Sequence, residues 1–321
     1  MPRDLRALPK ANPHLHLTGS MRPSTAAELA ARYGLPPLPA VPIEPGVVHG
    51  WDAFQARYDT ARAAVRSAED IARVVREAVE QDAADGVGWT ELQVDPTSYA
   101  GWLGSLEAVV EALLDAAREL PVGVVLAASW GADPAHAERI AGLAVQHAPD
   151  GVVGFGLSND ERRGRVRDFV PAFRLAADAG LASVPHAGFY EGAWHVRECV
   201  ELLGATRIGH GLTALQDPAV VALLAERQVT LEVCPTSYSP FGVTLALGAV
   251  PALLADGVPV ALATDDPLLF GVGMVGQYEI VRQACSDAEL AAIAATSVRA
   301  SRAPVGLRRQ LLDGIQGWLG G

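Results

Sequence analysis

The chain has 321 residues, of which 50% are hydrophobic and 19% charged, a composition that excludes an intrinsically disordered protein. This length is normal for a single α/β barrel, so we expect one domain over residues 1–321. The formal net charge of −12 argues against nucleic acid or an anionic membrane as a partner.

The sequence also argues against secretion and membrane insertion. Residues 1–6 lack the apolar core of a signal peptide, and no apolar run approaches the roughly 20 residues that span a bilayer. The cysteines Cys199, Cys234 and Cys285 are odd in number and form no Cys-x-x-Cys pair, which is typical of a reducing compartment. We therefore expect a cytoplasmic protein. The oligomeric state stays open, a homo-oligomer included.

Short apolar runs of strand length alternate with helical patterns along the chain. The predicted strands cover residues 13–17, 88–94, 123–128, 152–157, 182–186, 207–210, 230–234 and 259–264. Strands that alternate with helices pair in parallel through right-handed crossovers. A count of eight favours a closed (β/α)8 TIM barrel over an open doubly wound sheet.

The clearest predicted helix follows Ser67, because Ser67 and Asp70 have the spacing of a capping box. Further helices are expected over 106–120, 134–147, 196–203, 218–227 and 287–295. The longest segment outside this pattern covers about residues 30–66, after the first strand, and holds a helical pattern with Trp51, Phe54 and Tyr58 on one face. An insertion here lies beside the pocket of a barrel, so we expect a helical lid.

Two histidines, His14 and His16, lie one residue apart at the end of the first predicted strand. Alternate side chains of a strand point to the same side, so both imidazoles can reach one metal ion. Taken alone, the pair could equally be polar residues on a solvated face.

Polar residues also end other predicted strands, at the edge where a barrel places its active site. His186 ends the fifth strand, His210 the sixth, and Asp265 and Asp266 follow the eighth. Three histidines and one aspartate suit a divalent ion such as Zn²⁺ and leave room for water, whose pKa falls when it is bound. Singly, His210 could be a buried structural histidine and Asp266 a helix cap.

Five segments carry a resemblance to a known family. They are His14-Leu15-His16-Leu17-Thr18-Gly19-Ser20, His186-Ala187-Gly188, Arg207-Ile208-Gly209-His210-Gly211, Glu232-Val233-Cys234-Pro235-Thr236-Ser237 and Thr264-Asp265-Asp266-Pro267. In their order they are similar to the adenosine deaminase family of the metal-dependent amidohydrolase superfamily. The resemblance extends over about residues 9–278, and several ordered motifs are more specific than any one of them.

The resemblance implies a zinc-dependent deaminase that holds one divalent ion. The implied metal ligands are His14, His16, His186 and Asp265. Asp265 and His210 would be catalytic, with His210 orienting the attacking hydroxide.

On the substrate side, the resemblance implies that Asp266 bonds a ring nitrogen. Asn159 lies in the segment 156–161, where the family has a backbone contact to the purine ring. We expect further contacts from aromatic residues around the pocket mouth, which suit a planar ligand. These predicted aromatic contacts are Phe54, Tyr58, Tyr99, Trp130, Phe189 and Tyr190.

The chain departs from the family at position 189. The family's motif continues His-Ala-Gly-Glu, and this Glu is the shuttle that protonates the heterocycle, whereas the present chain has Phe189. General acid–base catalysis is worth about 10²–10⁴ in rate, so a simple loss would leave a poor purine deaminase. Tyr238 also replaces a usual Asn, and Thr18 replaces an acidic residue of adenosine-specific members. The change at Thr18 argues against adenosine itself as the substrate.

Phe189 leaves three interpretations open. Glu191 or Tyr190 takes over the proton shuttle, although two residues of extended chain displace a side chain by roughly 6–7 Å. Alternatively, the substrate needs no ring protonation, or a different metal-dependent reaction has replaced deamination. In the third interpretation, the protein binds its ligand with little turnover. Because the full set of implied ligands is present, we expect an aminohydrolase acting on a purine-like or other nitrogen heterocycle.

Overall fold

The computed structural model describes residues 2–38, 42–44, 46–246 and 248–320. Eight parallel strands form one sheet in sequential order. They are β1 (Lys10–His16), β2 (Val87–Val94), β3 (Val122–Ser129), β4 (Val152–Ser158), β5 (Ala182–Ala187), β6 (Arg207–His210), β7 (Thr230–Val233) and β8 (Val260–Leu262). Each overlaps the strand predicted at that place, so the predicted (β/α)8 architecture is confirmed.

The first and last strands meet at their carboxyl ends. Leu15 forms a parallel bridge with Asp265, the His16 N–H donates to the Asp265 carbonyl at 3.0 Å, and the Asp265 N–H donates to the His14 carbonyl at 3.0 Å. These bonds close the sheet into a barrel. They also place the carboxyl end of β1 directly beside the residues that follow β8.

Helices connect and cover the strands. They are α1 (Pro23–Arg32), α2 (Trp51–Arg62), α3 (Ala68–Ala84), α4 (Thr97–Leu103), α5 (Leu106–Ala117), α6 (Pro134–Gln146), α7 (Val170–Asp178), α8 (Ala193–Leu203), α9 (Pro218–Arg227), α10 (Ala249–Ala255), α11 (Pro267–Phe270), α12 (Met274–Val281), α13 (Asp287–Ala300) and α14 (Val305–Gly320). The predicted capping box is confirmed, because the Ser67 side chain accepts from the Asp70 N–H and the Asp70 side chain accepts from the Ser67 N–H. No helix in the described ranges is long and apolar enough to cross a membrane.

The segment predicted as a lid contains helix α2, and part of it, residues 39–41 and 45, lies outside the described residues. Trp51, Phe54 and Tyr58 of α2 face the cleft at the carboxyl end of the barrel. Phe54 is buried, and its ring stacks on Phe270 with a centroid distance of 5.8 Å. The helix therefore forms one wall of the cleft, and its movement as a lid stays a prediction.

Candidate active site

Four side chains meet at the bottom of the cleft: His14 and His16 from β1, His186 from β5, and Asp265 after β8. We call these four the donor cluster. The Nε2 atom of His16 lies 3.2 Å from Nε2 of both His14 and His186. One oxygen of Asp265, Oδ1, lies 3.4 Å from His14 Nε2 and 3.2 Å from His16 Nε2. The barrel thus brings together the ligand set that the sequence predicted.

The donor cluster has the chemistry and spacing of a divalent metal site. Ligand atoms at about 2.0–2.1 Å from a tetrahedral ion are about 3.3 Å from one another, which matches the 3.2–3.4 Å separations here. A cation at their centre would accept one lone pair from each ring nitrogen and one from the carboxylate oxygen. Imidazoles and one carboxylate fit a borderline ion such as zinc.

The backbone at this site is held in an unusual conformation. Asp265 has φ 58° and His210 has φ 70°, in the left-handed region that non-glycine residues rarely adopt. Such a residue costs about 1–3 kcal/mol and persists only where its surroundings impose it. For Asp265 the two backbone bonds to β1 supply that constraint. The conformation turns its carboxylate toward the histidines of β1.

A buried chain of charged groups supports His14 from behind. His14 Nδ1 lies 3.1 Å from Glu232 Oε2, and Arg207 Nε donates to Glu232 Oε1 at 2.5 Å. Arg207 also pairs with Glu91, and all four side chains are at most 2% exposed. With Nδ1–H donated to Glu232, His14 presents Nε2 to the donor cluster. Burial raises the pKa of Glu232, but the Arg207 guanidinium outweighs this and keeps that pKa below its usual value.

His210 ends β6 beside the donor cluster. Its ring centroid is 5.3 Å from those of His14 and His186, and it offers a nitrogen within 4.8 Å of ligand atoms of His14, His186 and Asp265. Burial lowers the pKa of His210 to about 4. A neutral imidazole at this place can accept a proton.

Asp266 follows the donor cluster and is 3% exposed. Its Oδ1 has no hydrogen-bond partner among the described protein atoms, although the residue lines the cleft. Burial and the neighbouring Asp265 raise the pKa of Asp266 well above its usual value. A Cβ at Gly19 would lie 1.8 Å from this Oδ1, so only glycine leaves room for the carboxylate. The arrangement provides an acceptor for a ligand's hydrogen-bond donor.

The cleft above the donor cluster and the open solvent at its mouth together occupy about 840 Å³. Seven of the eight predicted substrate contacts line it, namely Asp266, Asn159, Phe189, Tyr190, Phe54, Tyr58 and Tyr99. Trp130 is fully buried instead: its Nε1 donates to the His186 carbonyl at 3.0 Å, and its ring packs on Phe169 and His195. Glu191 is not among the lining residues either. Contact of any of these residues with a substrate stays a prediction.

Sequence reasoning did not identify Glu161 as the anchor of the loop after β5. Its Oε1 accepts from the N–H groups of Phe189, Tyr190 and Glu191 at 2.9, 2.5 and 2.6 Å, and its Oε2 lies 3.3 Å from Nδ1 of the buried His195. Burial raises the pKa of Glu161, but His195 and these N–H groups outweigh it and lower that pKa below its usual value. Glu161 is thus an ionised clamp that holds Phe189 in place. Phe241 and Phe270 of the cleft wall also carried no sequence signal, because they belong to no motif.

Comparison with known proteins agrees with this geometry. The family model described as adenosine deaminase matches residues 9–318. A Streptomyces virginiae protein, whose name gives adenosine/adenine deaminase as a provisional assignment, is 50% identical, with 99% of each chain covered. Aminodeoxyfutalosine deaminase of Acidothermus cellulolyticus is 34% identical over 87% of this chain and 83% of its own.

Among solved structures, an amidohydrolase from Burkholderia ambifaria with bound Zn superposes with a TM-score of 0.80 at 26% identity, covering 98% of this chain and 93% of that one. The relatives are deaminases, which hydrolyse C–N bonds, and the family is metal-dependent. They differ in the substrate that their names give, so membership alone does not specify a substrate. The match over almost the whole chain shows that this protein belongs to the adenosine deaminase family.

Proposed function

We propose that the protein is a zinc-dependent aminohydrolase that removes an amino group from a purine-like or other nitrogen-heterocyclic small molecule in the cytoplasm. The observation that carries this proposal is the donor cluster at 3.2–3.4 Å spacing beneath a cleft lined by His210, Asp266 and aromatic rings. The buried free cysteines are consistent with a reducing compartment.

His14, His16, His186 and Asp265 would hold the ion. When bound, a zinc ion supplies Lewis acidity that makes a water molecule a competent nucleophile at neutral pH. Glu232 fixes the tautomer and orientation of His14, so that Nε2 rather than Nδ1 faces the site.

The remaining polar groups act on water and substrate. His210, neutral at physiological pH, orients the attacking water and takes its proton at a ring nitrogen. Asp266, which lines the cleft, accepts a hydrogen bond from the heterocycle, and Asn159 contacts the ring from the loop after β4. Phe54, Tyr58, Tyr99, Phe189 and Tyr190 enclose the planar ligand and exclude water.

Phe189 limits the kinds of reaction that fit this site. Its ring centroid lies 4.8 Å from that of His210, so an aromatic ring, which can neither give nor take a proton, borders the reaction centre. Glu191 would need to turn inward from outside the cleft lining to supply a proton. The contact therefore favours a substrate that needs no ring protonation. A metal-dependent enzyme with a different reaction is the second candidate on the same observation.

The test is metal content combined with ammonia release from aminopurines, nucleosides and pterins. We expect one zinc per chain and ammonia from at least one compound. His210→Ala should retain zinc and lose turnover by about 10²–10⁴-fold. Trp102→Leu, a change at an exposed residue outside the cleft, is the matched control and should retain both. Zinc without ammonia from any compound would favour the second candidate, and tight ligand binding unaffected by His210→Ala would favour a ligand-binding homologue.

A further inference from the structure

We propose that the cleft recognises a heterocyclic cation, alkylated on a ring nitrogen, in preference to a neutral ring. This inference rests on the proposed function and specifies its substrate class. It is carried by the aromatic surface beside His210, by the engagement of Glu161 Oε1 with the loop after β5 and by the pairing of charges around the cleft.

The aromatic surface runs without a break from the reaction centre to the cleft mouth. Its members, here called the aromatic wall, are Trp51, Phe54, Phe189, Tyr190 and Phe241. Phe189 contacts His210 and lies 5.1 Å from Phe241, which lies 4.9 Å from Phe54 and 6.0 Å from Trp51, all between ring centroids. All five residues line the cleft. Aromatic faces that converge on one space recognise quaternary nitrogen and methylated cations.

Phe189 itself has no proton to give, and the cleft-lining carboxylate that contacts its loop is already engaged. Among the described residues that line the cleft, the carboxylate in contact with this loop is Glu161, and its Oε1 already accepts three backbone N–H groups. Its second oxygen is buried, lies 3.3 Å from Nδ1 of His195 and has no hydrogen-bond partner among the described atoms. Glu161 is therefore occupied as an anchor, and the wall next to His210 is apolar.

Addition of water to an amino-bearing ring carbon requires positive charge on the ring. A protein acid can supply this charge by protonating a ring nitrogen, or an alkyl group on that nitrogen can supply it as long as the exocyclic amino group keeps both its protons. The balanced reaction of such a cation with water forms the C–O bond, breaks the C–N bond and gives a neutral ring carbonyl and ammonium. Both protons of the water end on the leaving nitrogen, so no net proton is drawn from the protein.

The charges around the cleft suit a cation. Arg62 is paired with Asp59, and Arg162 forms two bonds with Asp160, at 2.8 and 3.0 Å. The guanidinium of Arg162 lies 4.2 Å from the ring centroid of Tyr190, so the outer end of the aromatic wall already holds a cation. The neighbouring basic groups are thus neutralised by their own acidic partners.

The binding test uses the zinc-loaded protein and two bicyclic probes that carry no amino leaving group, the cation 1-methylquinolinium and its neutral isostere 4-methylquinoline. Calorimetry at neutral pH should show about 5- to 30-fold tighter binding of the cation. Phe189→Leu keeps an apolar side chain but removes the ring, and should narrow this preference by about 2- to 5-fold. Tyr190→Leu, a second variant, should narrow it as well, whereas Trp102→Leu should leave it unchanged.

The activity test compares ammonia release from 1-methyladenine and 1-methyladenosine with release from the unmethylated compounds. For whichever of adenine and adenosine gives ammonia, we expect kcat/KM to be at least about tenfold higher for the methylated cation than for the unmethylated compound. Equal binding of the two probes, or a preference for the cation that is unchanged in both aromatic variants, would overturn the inference. Ammonia release from unmethylated rings would in that case still support the proposed function. A cation preference with no ammonia from any compound would overturn the proposed function and leave the cation site standing.

Discussion

The substitution Glu232→Gln tests whether the buried charge chain serves the metal site or only the barrel. Glu232 has two partners, Arg207 at 2.5 Å and His14 Nδ1 at 3.1 Å, and all three side chains are at most 2% exposed. The amide keeps the shape but loses the charge. We expect zinc affinity to fall about 10- to 100-fold, the usual effect of removing a carboxylate behind a ligating histidine. Because Arg207 loses one of its two buried carboxylates, the free energy of unfolding should fall by about 3–5 kcal/mol.

The matched control is Glu91→Gln. Glu91 pairs with the same Arg207 but does not contact His14. The Glu91→Gln substitution should therefore lower the free energy of unfolding by a similar amount, measured by denaturant unfolding of the zinc-free protein. Its zinc affinity, measured by competition with a chromogenic chelator, should stay within about threefold of wild type. Equal losses of zinc affinity in the two variants would refute the reasoning, since stability alone would then explain both. Unchanged affinity in Glu232→Gln would refute it directly.

Three further predictions follow from the site. Gly19→Ala should displace the Asp266 carboxylate, because the added Cβ would lie 1.8 Å from Oδ1. The variant should bind the ligand more weakly but retain its zinc, as measured by atomic absorption. An unchanged ligand affinity would contradict this prediction. Burial lowers the pKa of His14, but nearby carboxylates outweigh it and raise that pKa to about 10, so zinc must displace a proton at neutral pH. Below that pKa, the affinity for zinc should then rise about tenfold for each unit of increase in pH. Calorimetry in buffers of different ionisation enthalpy should show that about one proton is released per zinc bound. A zinc affinity that does not depend on pH would contradict this prediction. Glu161→Gln should loosen the loop 189–191 and speed its amide hydrogen exchange while exchange of β1 stays slow, whereas protection equal to wild type would mean that the clamp is dispensable.

The barrel could be predicted because its strands are short apolar runs between helical patterns. Residues 207–210, for example, were predicted as a strand and are β6. The strand β1 begins at Lys10, earlier than predicted, because its first residues include buried polar side chains that a hydrophobic pattern does not assign to a strand. Lys10 is tolerated there since its Nζ donates to the carbonyls of Leu5 and Asp85. The sequence patterns did not indicate helix α7.

The donor cluster could be anticipated because its members end separate strands, and the closed barrel brings all those ends to one edge. The contacts that support this cluster, by contrast, could not be anticipated from the sequence. The clamp joins Glu161 to a loop 28–30 residues away, and Arg207 reaches Glu91 across 116 residues. Such contacts depend on which loops and strands become neighbours in three dimensions, which local spacing does not encode. The burial of Trp130 could not be predicted for the same reason, because it depends on the hydrogen bond from its indole N–H to the His186 carbonyl.

The bridge between Leu15 and Asp265 has a consequence for biosynthesis. His14 and His16 of the donor cluster leave the ribosome near the start of synthesis, whereas Asp265 follows some 250 residues later, and the barrel cannot close before that point. A nascent or truncated polypeptide therefore lacks the complete set of metal-binding groups. Uptake of the proposed ion should therefore follow completion of the tertiary structure.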